Sequence, residues 1–126
     1  MKLQGSIVAL ITPFHADGTV NFERLGEILD WHVAQGTDGI LVLGTTGESS
    51  TMSHEEDDEV CRFAIDRVAG RVPVISGSGS NSTETQLEKS KNTPGWGPTH
   101  FCALPPTISR PTPRACTAIL PMWPMR

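Results

Sequence analysis

Four consecutive apolar residues, Ile40-Leu41-Val42-Leu43, stop abruptly at Gly44-Thr45-Thr46-Gly47-Glu48-Ser49-Ser50. A strand apolar at every position must be covered on both faces, which is the condition of a parallel sheet packed under helices. In such sheets the chemistry sits at the carboxyl ends of the strands, where the run delivers its hydroxyls. Gly44 and Gly47 admit backbone angles or close approaches closed to other residues, so the amides and hydroxyls of Thr45 and Thr46 can converge on a small anion. The same residues also suit an ordinary glycine turn between a strand and a helix.

The flanking sequence repeats the theme. Ser6 to Thr12 is a short apolar run closed by Pro13, read as a buried strand followed by a loop through Asp17-Gly18. Asn21 suits a helix cap, and Phe22, Leu25, Ile28, Leu29, His32 and Val33 form one stripe that Gly36 closes. After the second strand, Gly39 to Leu43, Ser53-x-x-Glu56 is a capping box. It opens a helix with Val60, Phe63, Ala64 and Val68 on one face and a stop at Gly70. Arg71 to Ser76 predicts a third strand, and Thr83-x-x-Gln86 a further helix start whose pattern is lost after Glu88. The order βαβαβα with short connections implies right-handed crossovers and a parallel sheet. An open doubly wound sheet and the start of a (β/α)8 barrel both fit.

A chain of 126 residues with a formal charge of −4 predicts one domain and carries no Lys/Arg cluster, so nucleic acid and an anionic membrane are not indicated as partners. The N-terminal run is unlike a secretory signal and no run is long enough to span a bilayer, which leads us to expect a soluble cytoplasmic protein. Cys61, Cys102 and Cys116 lack metal or disulfide spacing. Other motifs fail on inspection. Gly77-Ser78-Gly79-Ser80-Asn81-Ser82 lacks the third glycine of a dinucleotide loop and does not follow the first strand. Gly44 to Ser49 lacks a phosphate-binding lysine, and His54-Glu55 has no second histidine four residues on. His15 and His32 read as structural or solvated, and Cys61 as a small hydrophobe.

Four segments, in order and spacing, closely resemble the dihydrodipicolinate synthase (4-hydroxy-tetrahydrodipicolinate synthase) family. They are Gly5-Ser-Ile-Val-Ala-Leu-Ile-Thr-Pro-Phe14, Leu43-Gly-Thr-Thr-Gly-Glu-Ser-Ser50, Ser53-His-Glu-Glu56 and Val72-Pro-Val-Ile-Ser-Gly-Ser-Gly-Ser-Asn-Ser-Thr83. The resemblance covers residues 1 to about 90. The Gly-Thr-Thr-Gly-Glu-Ser form favours the synthase over N-acetylneuraminate lyase and the 2-keto-3-deoxy sugar acid aldolases, which remain the alternative.

The resemblance implies a (β/α)8 (TIM) barrel lyase, a homotetramer in the intact family, that condenses pyruvate with L-aspartate 4-semialdehyde in lysine biosynthesis. It implies a Schiff base on a barrel lysine, and no metal or organic cofactor. By position Thr46 would hold the pyruvate carboxylate, Thr45 would join a proton relay with a tyrosine, and Ala9 would line the pocket. Hydroxyls and loop amides bind a carboxylate without adding charge that competes with the iminium. Ser50, His54 and Asn81 match positions near the family's allosteric lysine site, but Thr85 replaces the acidic residue expected there, so lysine feedback is not implied.

The pattern breaks near Lys91. Eight of the ten prolines (Pro94, Pro98, Pro105, Pro106, Pro111, Pro113, Pro121 and Pro124) follow it, no acidic residue follows Glu88, and the sequence contains no Tyr. Reading the last base of each codon with the first two of the next, with suitable third bases, turns the tail into Glu-Tyr-Ser-Arg-Leu-Gly-Ala-Asp-Ala-Phe-Leu-Cys-Ile-Thr-Pro-Tyr-Tyr-Lys. Thr-Glu-Gly-Met-Tyr-Arg-His-Phe-Ala-Asp-Val-Ala then follows, and both stretches are similar to the family's next segments. Some displaced residues are forced: Trp96-Gly97 must yield glycine, Met122-Trp123 valine and Trp123-Pro124 alanine.

The expected organisation is therefore a partial barrel domain over 1–91, about three βα units, followed by an out-of-frame, irregular Pro-rich tail over 92–126 with no secondary structure of its own. A genuine proline-rich tail is the other reading. Three units cannot close a barrel, which predicts an inactive chain with exposed strand edges. A non-catalytic interaction fragment is the alternative function.

Overall fold

The computed structural model describes residues 3–77, Glu84 and, through its backbone pairing, the segment His100–Cys102. Strands β1 (Ile7–Ala9), β2 (Gly39–Val42), β3 (Val74–Gly77) and β4 (His100–Cys102) form one parallel sheet in chain order, with helices α1 (Phe22–Ala34) and α2 (His54–Val68) between the first three. Registers Val8↔Ile40 and Ile40↔Val74 put Val8, Ile40, Val42 and Val74 on one face. That face meets Leu25 and Leu29 of α1 and Val60, Cys61, Ala64 and Val68 of α2 in a single core. Both helices thus lie on the same side of a sheet whose strands follow chain order, which is the barrel arrangement and not the doubly wound one.

The helix ends follow from the chain. Asn21 Oδ1 accepts from the Arg24 amide at 2.9 Å, and the Thr37 and Gly36 amides return to the His32 and Val33 carbonyls at 3.1 and 3.2 Å. That C-terminal pairing requires the left-handed φ of +80° that Gly36 adopts. At α2 the capping box is complete: the Glu56 amide donates to Ser53 Oγ at 3.2 Å and the Ser53 amide to Glu56 Oε2 at 2.8 Å. The helices cross where α1 is thinnest, at Gly26 against Phe63 and Arg67, with Phe22 and Phe63 rings 5.2 Å apart. Asp30 holds both Arg67 (2.9 and 2.6 Å) and Arg71 (2.8 Å) across that crossing.

Two expectations need correction. The buried first strand is a three-residue edge strand with Ile7 40% exposed, because among the described residues nothing pairs with its outer side. The tail expected to lack secondary structure contributes β4, in register Ile75↔His100 and Gly77↔Cys102. Parallel pairing uses backbone groups alone, so an altered side-chain pattern does not forbid it. Within the helix expected after Thr83, Glu84 is helical, and the rest lies outside the described residues. Among the described residues no helix is long and apolar enough to cross a membrane.

Candidate functional site

The loop after β2 is built by backbone geometry at positions the sequence does not flag. Leu43 takes φ 59° while its side chain stays buried in the core, and this turns the chain across the end of the sheet. Gly44 is extended (φ −77°, ψ −175°), then Thr45–Gly47 makes one 3₁₀ turn closed by the Gly47 amide on the Gly44 carbonyl at 3.0 Å. Glu48, at φ 57°, opens a second turn over Ser49–Thr51, and its carbonyl accepts from both the Thr51 amide (2.9 Å) and hydroxyl (2.8 Å). Of the two uses expected of the glycines, unusual angles or close approach, the angles fall instead on Leu43 and Glu48, and the close approach is found at Gly47. Gly47 is needed for space, since a Cβ there would lie 3.1 Å from the Leu10 carbonyl oxygen.

Thr45 and Thr46 emerge exposed on this turn at the carboxyl end of β2. Beneath them the buried Thr12, on the chain leaving β1, donates its hydroxyl to the Gly47 carbonyl at 2.7 Å and ties the loop to the neighbouring strand. Sequence reasoning missed Thr12 as a site residue. Its signal was the one applied to Thr45 and Thr46, a hydroxyl just beyond the carboxyl end of a buried run. Ala9 is exposed at the end of β1, in register with Leu41. Ser50 and His54 are exposed on either side of the Ser53 cap, and Asn81 lies outside the described residues. The arrangement brings hydroxyl-bearing Thr45 and Thr46 to the sheet end nearest Ala9 with no cationic side chain in the turn, a setting for a small carboxylate held by neutral donors.

Other candidates settle into structure. Cys61 is buried against Ser76 on the helix side of the sheet; burial pushes its thiol above the usual range, against a smaller lowering by the Ser76 hydrogen bond. His15 Nδ1 lies 3.4 Å from Asn21 Nδ2, and His32 Nδ1 3.3 Å from the Thr37 hydroxyl. Among the described residues no group of three or more His, Cys, Asp or Glu side chains could hold a metal.

Comparison with known proteins follows the same lines. Residues 2–117 match the Dihydrodipicolinate synthetase family, which carries the likeness past the residue-90 limit of the motifs. A 4-hydroxy-tetrahydrodipicolinate synthase of Thermoanaerobacter sp. (strain X514) is 44% identical over 91% of this chain and 38% of its own length. One from Clostridium novyi (strain NT) is 57% identical over 70% of this chain and 29% of its own. The chain thus spans little more than a third of the curated relatives it matches. Among solved structures, dihydrodipicolinate synthase from Aquifex aeolicus superposes with a TM-score of 0.80 and 46% identity, covering 89% of this chain and 38% of that one. The chloride-inhibited synthase from Acinetobacter baumannii complexed with pyruvate gives 0.88 and 36%, covering 98% and 44%. The helix-backed parallel sheet, the Gly-Thr-Thr-Gly turn that ends β2 and the shared sequence over nine-tenths of the chain all lead to one conclusion: this chain belongs to the dihydrodipicolinate synthetase family.

Proposed function

We propose that this chain carries the first βα units of a cytoplasmic, pyruvate-dependent lyase that condenses pyruvate with L-aspartate 4-semialdehyde to 4-hydroxy-tetrahydrodipicolinate in lysine biosynthesis. The observation that carries the reading is the Thr45–Thr46 turn, presented at the carboxyl end of β2, the neighbour of the strand that ends at Ala9, and pinned from below by Thr12. In it Thr46 holds the pyruvate carboxylate, Thr45 passes protons to and from the substrate, and the small side chain of Ala9 leaves the pocket room. Ser50, His54 and Asn81 border a separate effector surface. The likeness to a relative that was crystallised with pyruvate supports the substrate, and in this reading pyruvate makes its Schiff base on a lysine from later in the barrel. The intact enzyme is a homotetramer, and residues 92–126 are the out-of-frame continuation of the 1–91 domain.

The lysines of this polypeptide are Lys2, Lys89 and Lys91, and none belongs to β1, β2 or β3. Imine formation joins a lysine amine to the pyruvate ketone with loss of water, and borohydride then delivers hydride to leave a stable secondary amine. Treated with pyruvate and borohydride, the 126-residue chain gains no mass by mass spectrometry, whereas an intact relative gains one adduct. An adduct mapped to Lys89 or Lys91 would overturn the assignment of the nucleophile to a later strand.

A further inference from the structure

We infer that Gly77, at the end of β3, is a positioning residue for the Thr45–Thr46 turn, acting through direct backbone contact with Leu43 and Gly44. A Cβ on Gly77 would lie 2.2 Å from the Leu43 carbonyl oxygen, 2.7 Å from its carbonyl carbon and 2.9 Å from the Gly44 nitrogen. All three are backbone atoms, which cannot rotate aside as the tip of a side chain can. The end of β3 and the peptide joining Leu43 to Gly44 are therefore in mutual contact, and that peptide is the point from which the threonine turn hangs.

Leu43 explains why the contact is needed. Its φ of 59° is a conformation that a leucine leaves readily unless the surroundings hold it. Its side chain, 5% exposed, anchors it from the core, while Gly77 abuts its carbonyl from the neighbouring strand. At the far end of the turn, Gly47 sits against the Leu10 carbonyl and accepts from Thr12. The turn is thus pinned to β3 at its start and to the chain leaving β1 at its finish, and the spacing of the two threonines is set by neighbours on both sides. Gly44 contributes no comparable restraint, because a Cβ there meets only the Leu41 side chain at an ordinary 3.5 Å.

What the positioned turn holds rests on the pyruvate reading above; the contact itself does not. Hydrogen exchange of the full chain, followed by mass spectrometry at micromolar concentration, tests the contact with no ligand present, so its outcome is independent of whether pyruvate binds. Gly77→Ala should speed exchange in peptides covering 43–52 about tenfold, as expected for a methyl forced into a closed backbone contact. Peptides within α1 should be unchanged. Gly39→Ala is the control in the same sheet, since its Cβ would make contacts of 3.4 Å and longer. Gly44→Ala, compatible with φ −77°, should leave the turn protected. Unchanged exchange over 43–52 in Gly77→Ala would overturn the inference, as would equal acceleration in α1. It would equally be overturned if Gly39→Ala or Gly44→Ala opened the turn as much.

Discussion

Ala69 ends α2 with φ 50°, left-handed, its amide on the Ile65 carbonyl at 2.9 Å and Gly70 following at φ +73°. The stop expected at Gly70 is found, with Gly70 just past the cap as Gly36 is in α1, but here the cap residue is left-handed as well and carries a methyl. Ala69 is exposed, so its side chain offers the fold nothing in return. Ala69→Gly should stabilise the chain by about 0.5–1 kcal/mol, read as a higher denaturant midpoint; a fall in the midpoint would contradict the strain. The same rule exposes the limits of reading single residues. The place of Thr45 and Thr46 at a strand's carboxyl end was legible because the apolar run stops just before them, though the same residues equally suit an ordinary turn. Leu43 and Gly77 were not, since leucine carries no preference for φ 59° and a glycine's contact across 34 positions exists only once the strands pair.

Between elements, the α1/α2 crossing is held by apolar packing at Gly26 and Phe63 and by the bridge from Asp30 to Arg71 and Arg67. Arg71, then Arg67, hydrogen-bond the Asp30 carboxylate and lower its pKa below the ordinary 3.8. A carboxylate whose folded pKa is depressed stabilises the fold above its unfolded value and loses that contribution as pH falls through the folded one. The loss therefore begins near pH 4 and deepens below it. Asp30→Asn should lower the neutral plateau of a stability-versus-pH curve and flatten its acid limb by the same amount, the two curves converging at low pH, and that amount is small because the bridge is partly exposed to solvent. Parallel acid limbs in the two proteins would show that other carboxylates set it. At this scale periodicity and caps made both helices legible in advance. Asp30, Arg67 and Arg71 were invisible there, because their bridge joins residues brought together only by the crossover.

For the whole molecule, the parallel sheet and its crossover helices were contained in the alternation of short apolar runs with helical stripes, whereas strand order and the placement of both helices on one face were not, since that alternation suits a doubly wound sheet as well as the barrel that the family resemblance implied. Nor were the length of β1 and the existence of β4. Both depend on what stands beside a strand, and one sequence read along its length does not report its neighbours. At the β1 edge this has a physical consequence. Leu3, Ile7 and Ile11 are exposed at 42, 40 and 53%, three of the four large apolar side chains exposed among the described residues. Ile7, alternating with the core-facing Val8, lies on the face away from the helices, which a closed barrel would bury, Ile11 stands exposed two residues past the strand's end, and β1 has an unpaired outer edge among the described residues. An apolar edge strand with free amides and carbonyls is a template for another copy of the chain, and a charged residue on it opposes such pairing. Ile7→Lys should therefore raise the concentration at which the chain self-associates, measured by light scattering across a dilution series, at little cost to a side chain already 40% exposed. Trp31, 58% exposed on α1, serves as the comparison: Trp31→Lys changes a helix surface and leaves the edge intact. If the two substitutions raise the threshold equally, general surface apolarity drives association; if only Ile7→Lys does, the open edge of the partial barrel is responsible.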